Sequence, residues 1–482
     1  MTDKLDLAYL SAATQIRLYR SKQLSPVDVL EAQIARAEEV EPKINAFAWK
    51  FYDEAQVAAR KAERRYMIGE PRPLEGVTIA VKDDTDVAGK VTASGSKLFL
   101  DYVAPSSHPM VQRYLDAGAI VHAKTTVPEF CISTVTTSPH WGVTRNPWNL
   151  AYTPSGSSGG SGAALAAGTT TLATGSDSGG SIRLPASVNG VYGFKAPFGR
   201  FPSVMPWTLV PNSVYGPMAR SMDDLSLMYD LGNGPAAYDH TALPKHRLPR
   251  PLPSVAGMRI AYSPDLGFAQ IDPEVRANTE RALADFERLG ARVEEVSISW
   301  TPEKIQDAFY GTLLTGFWRV FFDQVQEMMT NPAEVSDQYH NLYRKAQAMP
   351  AGTQEAAAML VAELNTDIHA IFNSGFDALV TPTTGLPSIA AAANHATDAL
   401  TINNVSVDPT TGWSLTHPFN LLYLHPIIVA QTGRATNNIP TSIQIIGERY
   451  DDDTVFALAH AYERTAEPLY AGDAFPDFRS EF

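Results

Sequence analysis

The stretch Gly175-Ser176-Asp177-Ser178-Gly179-Gly180-Ser181-Ile182-Arg183-Leu184-Pro185 decides the reading of this chain. A second serine and glycine loop, Gly156-Ser157-Ser158-Gly159-Gly160-Ser161, lies just upstream. Two such loops so close together point to one site. A third element joins them: Lys82 follows the apolar run Val77-Thr78-Ile79-Ala80-Val81 and opens the acidic turn Asp83-Asp84-Thr85-Asp86. A lysine at the end of a buried strand is unusual, and it calls for a chemical explanation.

Amide hydrolysis supplies one. It needs a nucleophile, a base that takes its proton and later passes it to the leaving nitrogen, and donors for the oxyanion. A serine hydroxyl is weak alone, and a lysine activates it only when unprotonated, which burial favours by penalising the ammonium. If Lys82 does not reach Ser181 directly, the Ser157 hydroxyl is suited to relay the proton because it both donates and accepts. Gly179 and Gly180 allow close backbone approach, so the amides of Ser178, Gly179, Gly180 and Ser181 are expected to face the developing charge.

Other chemistries fit less well. Gly156-Ser157-Ser158-Gly159-Gly160 matches a G-x-S-x-G elbow with Ser158 as nucleophile, but that motif needs a strand before it, and Asn146 to Pro154 reads as an irregular loop. No Walker lysine follows either glycine loop. The turn acids lack metal-site spacing, so no metal or cofactor is expected. The eleven histidines show no paired spacing, and His417 and His425 are read as structural or cleft-lining.

The chain has 482 residues, 44% hydrophobic and 19% charged, with a net charge of −14. That balance suits a folded globular protein and disfavours nucleic acid or anionic lipid as partners, since both call for clustered Lys and Arg. The single cysteine, Cys131, excludes an intramolecular disulfide and is read as a buried thiol. No signal peptide or membrane-length apolar run is evident, which leads to an expectation of a soluble, cytoplasmic monomer or homodimer.

Short apolar runs alternate with helical patterns from residue 77 onward, which predicts an α/β fold on a mixed buried sheet. Ser25-Pro26-Val27-Asp28 opens a helix within an N-terminal helical arm over residues 1–65. Gly and Pro between 232 and 257 mark a surface crossing. Thr301-Pro302 opens what reads as one long helical segment to about 346, part of a variable region over 301–375. Its aromatic residues, Phe317 and Trp318 among them, are candidates to wall an apolar cleft together with Met205 and Trp207.

The trio and its surroundings resemble the amidase signature family. The similarity runs from about Ser25 to Glu467 and includes Asn45-Ala46-Phe47, Gly76 to Gly89, Gly118 to Phe130, Thr144-Arg145-Asn146-Pro147, Gly199-Arg200 and Gly216-Pro217-Met218-Ala219. The resemblance implies one domain over 1–482, with a central mixed, twisted sheet covered by helices on both faces. It implies Ser181 as nucleophile, Ser157 as bridging serine after a cis peptide bond, and Lys82 as general base, with Ser158, Asp177 and Arg183 supporting them by hydrogen bonds. It further implies hydrolysis of a small to medium amide or carbamate, including anilides and urethanes, with esters as side substrates. A glutamine-dependent amidotransferase subunit that acts only in a complex is the alternative. The segment Phe201-Pro202-Ser203-Val204-Met205-Pro206-Trp207 departs from the serine- and aspartate-bearing one of that subunit.

Overall fold

The computed structural model describes residues 4–471 and 474–481. Among them, eleven strands form one mixed sheet: β1 (Phe47–Lys50), β2 (Thr78–Lys82), β3 (Ile120–Thr125), β4 (Leu172–Asp177), β5 (Tyr192–Lys195), β6 (Val214–Ala219), β7 (Arg259–Tyr262), β8 (Arg292–Glu295), β9 (Ala378–Pro382), β10 (Ile427–Arg434) and β11 (Pro440–Gly447). Their order across the sheet is β1-β3-β2-β4-β6-β5-β10-β11-β9-β7-β8. β2 runs parallel to both β3 and β4, and β9 and β8 run parallel to β7; the other pairs are antiparallel.

Strand side chains alternate between faces, and both faces are covered here. Ile79, Leu172, Ala219 and Ile428 join the core under the helices Pro109–Asp116, Met222–Gly232, Pro273–Arg288 and Asp452–Glu463. Their strand neighbours Ala80, Ala173, Met218 and Val429 meet the helices Gly159–Ala166 and Arg183–Asn189 instead. That is why the strands read as continuous apolar runs rather than alternating ones. A further layer holds the helices of residues 302–373, whose core includes Trp300, Phe309, Trp318 and Phe322.

Two expectations need correction. The N-terminal arm is not wholly helical: after the capped helix Pro26–Ile44, β1 pairs antiparallel with β3 at one edge of the sheet, and the helix Tyr52–Ile68 follows. The segment from Thr301 is four helices, Pro302–Leu313, Gly316–Met328, Asp337–Gln347 and Thr353–Asn373, not one. Gly316 sits at φ +57° at the first break, and Pro332 enters the second. The Thr301 cap is present, with its hydroxyl accepting from the Lys304 amide at 3.2 Å. No helix among the described residues is long and apolar enough to cross a membrane.

Candidate active site

The parallel pair β2 and β4 brings two distant segments to one sheet edge. Ile79 lies opposite Leu172 and Ala80 opposite Ala173, so Lys82 ends its strand beside the close of β4. This is the carboxyl end of parallel strands, where α/β sheets present ligand crevices. The Lys82 amide donates to Thr174 Oγ1 at 3.0 Å and fixes the end of β2.

The loop before the helix Gly159–Ala166 brings Ser157 to this point. Thr125 Oγ1 and Ser161 Oγ lie 2.8 Å apart, and Ser161 also donates to the Thr174 carbonyl at 2.9 Å, which ties the helix to β3 and β4. Gly160 lies so close to β3 that a Cβ there would meet Thr126 N at 2.5 Å, so a side chain would push the loop off the sheet. The Gly156–Ser157 peptide bond is cis.

Lys82 is fully buried, and its ammonium position is set by three oxygens. Nζ donates to Ser157 Oγ at 2.7 Å and to Ser176 Oγ at 2.6 Å, and Asp84 Oδ2 is 3.2 Å away. Ser176 donates in turn to Asp84 Oδ2 at 2.5 Å. Burial raises the Asp84 carboxyl, but the Lys82 charge and the Ser176 and Thr85 hydrogen bonds outweigh it and hold the pKa below the usual value. Asp84 and Ser176 were not among the expected site residues. The other turn acids have separate partners: Asp83 pairs with Lys124 at 3.1 Å, and Asp86 accepts from the Tyr102 hydroxyl at 3.2 Å.

Ser181 lies in the turn between β4 and the helix Arg183–Asn189 and lines the same cavity as Ser157, Ser176 and Asp84. Among the hydrogen bonds of the described residues, Lys82 to Ser157 is present, while a Ser157 to Ser181 bond is not. Asp177 governs this turn. Its carboxylate accepts from the amides of Gly180 (2.8 Å), Ile182 (3.1 Å) and Arg183 (3.3 Å). The Gly180 amide is therefore engaged by Asp177, and the expected set of oxyanion donors narrows to Ser178, Gly179 and Ser181. Gly180 has φ +128°, and a Cβ there would collide with Thr416 Oγ1, so only glycine fits.

Arg183 is fully buried against Asp177, with Nη2 to Oδ1 and Nε to Oδ2 both at 3.0 Å. It also donates to the Thr416 carbonyl (2.8 Å), Gln444 Oε1 (3.1 Å) and Asn420 Oδ1 (2.6 Å). Burial alone would raise the Asp177 pKa; the paired guanidinium reverses this and drives it far down. Ser158 is buried below the site, its amide donating to the Ser181 carbonyl at 3.1 Å and its hydroxyl to the Ser176 carbonyl at 3.4 Å. It lines neither chamber described below, so the elbow reading with Ser158 as nucleophile fails on geometry.

Of the four expected cleft residues, Trp207 and Trp318 line cavity walls beside Ser181. Phe317 packs on both, with ring centroids 5.2 Å from Trp207 and 6.3 Å from Trp318. Met205 is a correction: it is 59% exposed and lines neither chamber, because it stands on the outer side of the turn that carries Trp207 inward. Cys131 also reaches the cavity, its Sγ 3.5 Å from Asp84 Oδ2. Burial pushes its thiol up to about 12 against the opposing pull of Lys82, so it stays a thiol. His417 is buried, and desolvation lowers it to about 3, which keeps it neutral.

A buried lysine held on serine hydroxyls, a third serine in the same cavity and an arginine–aspartate brace on an 11-stranded mixed sheet define a class of amide hydrolase. The chain belongs to the amidase signature family, hydrolases of amide C–N bonds: the family model described as Amidase matches residues 28–456. Among curated relatives it is similar to one glutamyl-tRNA(Gln) amidotransferase subunit, from Symbiobacterium thermophilum, 32% identical over 493 residues that span 95% of this chain and 97% of that one. It is equally similar to an acylamidase of Rhodococcus erythropolis, 32% identical over 480 residues covering 96% of each. Among solved structures, a bacterial aryl acylamidase of the same family superposes with a TM-score of 0.86 at 27% identity, over 95% of this chain and 96% of that one.

Proposed function

We propose that the protein is a free-standing amidase in which Ser181 attacks the carbonyl of an apolar or aryl amide or carbamate. Lys82 acts as base through Ser157. The observation that carries this reading is the fully buried Lys82 Nζ at 2.7 Å from Ser157 Oγ, in a cavity that Ser181 also lines.

The steps balance without a cofactor. Neutral Lys82 takes the Ser157 proton as Ser157 takes that of Ser181, and Ser181 Oγ bonds to the carbonyl carbon. The amides of Ser178, Gly179 and Ser181 receive the oxyanion. As the C–N bond breaks, the same proton returns through Ser157 to the leaving nitrogen and leaves an acyl ester on Ser181. Water then attacks the ester by the same relay and restores the serine. Asp177 and Arg183 set the Ser181 turn. The apolar walls given by Trp207, Trp318, Phe309 and Leu184 support an apolar substrate.

The similarity to the amidotransferase subunit favours a second reading, in which the chain works only with a partner. One assay separates the two: arylamine release from a matched anilide and aryl carbamate by the purified chain, with Ser181→Ala as blank. Release that vanishes in the variant is expected. Release that persists overturns Ser181 as nucleophile, and activity that appears only on adding a partner protein overturns the free-standing enzyme.

A further inference from the structure

Two chambers meet at Ser181. One, of about 70 Å³, is walled by Ile132, Leu184, Phe309, Leu313 and Leu342. The other, of about 120 Å³, is walled by Phe99, Phe130, Trp207, Tyr215 and Phe321. Ser178, Ser181, Cys131 and Trp318 belong to both and form the partition. Their polar groups differ in kind: Ser157, Ser176 and Asp84 line only the larger chamber, whereas Gly179 lines only the smaller.

Building on the proposed role of Ser181, we infer that the substrates are aryl amides of short acids, with the amine half in the larger chamber and the acyl half in the smaller, where Leu313 and Leu342 set the length limit. The chemistry assigns the sides. When the C–N bond breaks, its electron pair stays on nitrogen, and that nitrogen must accept the proton carried by Ser157. Only a nitrogen on the Ser157 side receives it. The acyl substituent, on the opposite side of the same carbonyl carbon, then has the Gly179 side alone.

Size and polarity set the two halves. A dry cavity of about 150 Å³ holds one benzene, so a chamber of about 70 Å³ excludes a benzoyl ring and takes a few methylenes. Its far wall offers no charge to an acyl carboxylate or ammonium. Tyr310 donates to Asp408 Oδ1 at 3.2 Å, and that oxygen also accepts from the amides of Thr410 (3.0 Å) and Thr411 (2.8 Å), so the wall's polar groups are already paired. The larger chamber has an aromatic lining, with Phe130 5.4 Å from Phe321 and Trp318 5.7 Å from Phe321, both edge to face, which suits an aryl ring.

The test is two substrate series read by arylamine release. The first fixes aniline and varies the acid through acetyl, propionyl, hexanoyl and benzoyl; the second fixes acetyl and varies the amine from aniline to 2-naphthylamine. Expected is a fall in kcat/KM of roughly tenfold or more from propionyl to benzoyl, recovered by Leu342→Ala while the order of amines stays as in wild type. Leu313→Val serves as the milder variant if Leu342→Ala folds poorly. A flat acyl series, or a Leu342→Ala effect confined to the amine series, overturns the assignment. Intact mass after 4-nitrophenyl esters of the same acids keeps the two levels apart. A Ser181 adduct formed equally with every acid sinks the inference alone, and no adduct on Ser181 with any acid sinks the reading beneath it.

Discussion

Lys82 is the residue on which the proposed chemistry turns, and its replacement gives a direct expectation. Lys82→Ala lowers kcat by ~10²–10⁴, the usual contribution of a positioned base, while circular dichroism stays native. A kcat within a few-fold of wild type would remove the lysine from the mechanism. A second expectation concerns stability. Arg183→Met leaves the Asp177 carboxylate buried without its partner, which costs about 3–5 kcal/mol in urea unfolding. A third follows from Glu41, whose Oε2 accepts from the Ala46 and Phe47 amides at 3.0 and 2.9 Å and whose pKa burial raises to about 7. Its protonated form belongs to the folded state, so its contribution is complete below about pH 4.5 and lost as pH rises through about 7. Glu41→Gln keeps an acceptor and cannot ionise. The wild type is therefore expected to lose stability relative to it, on the order of 3 kcal/mol at most, between pH 4.5 and 7. Parallel unfolding curves at both pH values would refute that. At this scale Lys82, Ser157 and Ser181 were legible because each residue type answers a chemical need at a marked place. Asp84 and Ser176 were not, because an acid in a turn and a serine inside a strand usually serve the backbone or solvent. Only the fold brings both to one ammonium.

Among elements, the turn from Asp177 to Ile182 is held from outside its own segment. Thr416 donates to the Gly179 carbonyl at 2.7 Å and leaves no room for a Cβ at Gly180. Thr416→Val keeps the shape and deletes the hydrogen bond. Roughly a tenfold fall in kcat with little change in KM is expected, the scale of one such bond, and an unchanged kcat would show that the turn holds without it. The helical layer shows where reading by pattern stops. The apolar spacing after Thr301 continues across the breaks at Leu314–Thr315 and 329–336 because each helix turns an apolar face to the same core. Gly316 and Pro332 were the available signals of interruption. Met205 and Trp207 were grouped because they are neighbours and apolar, and a turn sends them opposite ways.

For the whole molecule, we propose a single domain, since one sheet runs from the arm to the C-terminal region and its two faces share cores with every layer. Unfolding followed by tryptophan fluorescence and by far-ultraviolet circular dichroism is expected to give coincident transitions. A separate earlier transition in fluorescence would mark the layer of residues 302–373, with Trp300 and Trp318 in its core, as a unit of its own. The α/β class and both covered faces were legible from alternating runs. The strand order was not, because β10 and β11 enter the middle of the sheet from far along the chain.

That late entry bears on how the protein is made. Arg183, which braces the Ser181 turn, needs Thr416, Asn420 and Gln444, and Gln444 lies on β11, the last strand of the sheet. Lys82, Ser157 and Ser181 leave the ribosome more than two hundred residues before that brace can close. A growing or prematurely stopped chain thus carries the reactive serine without the setting that would arm it, and competence comes only when synthesis is nearly over.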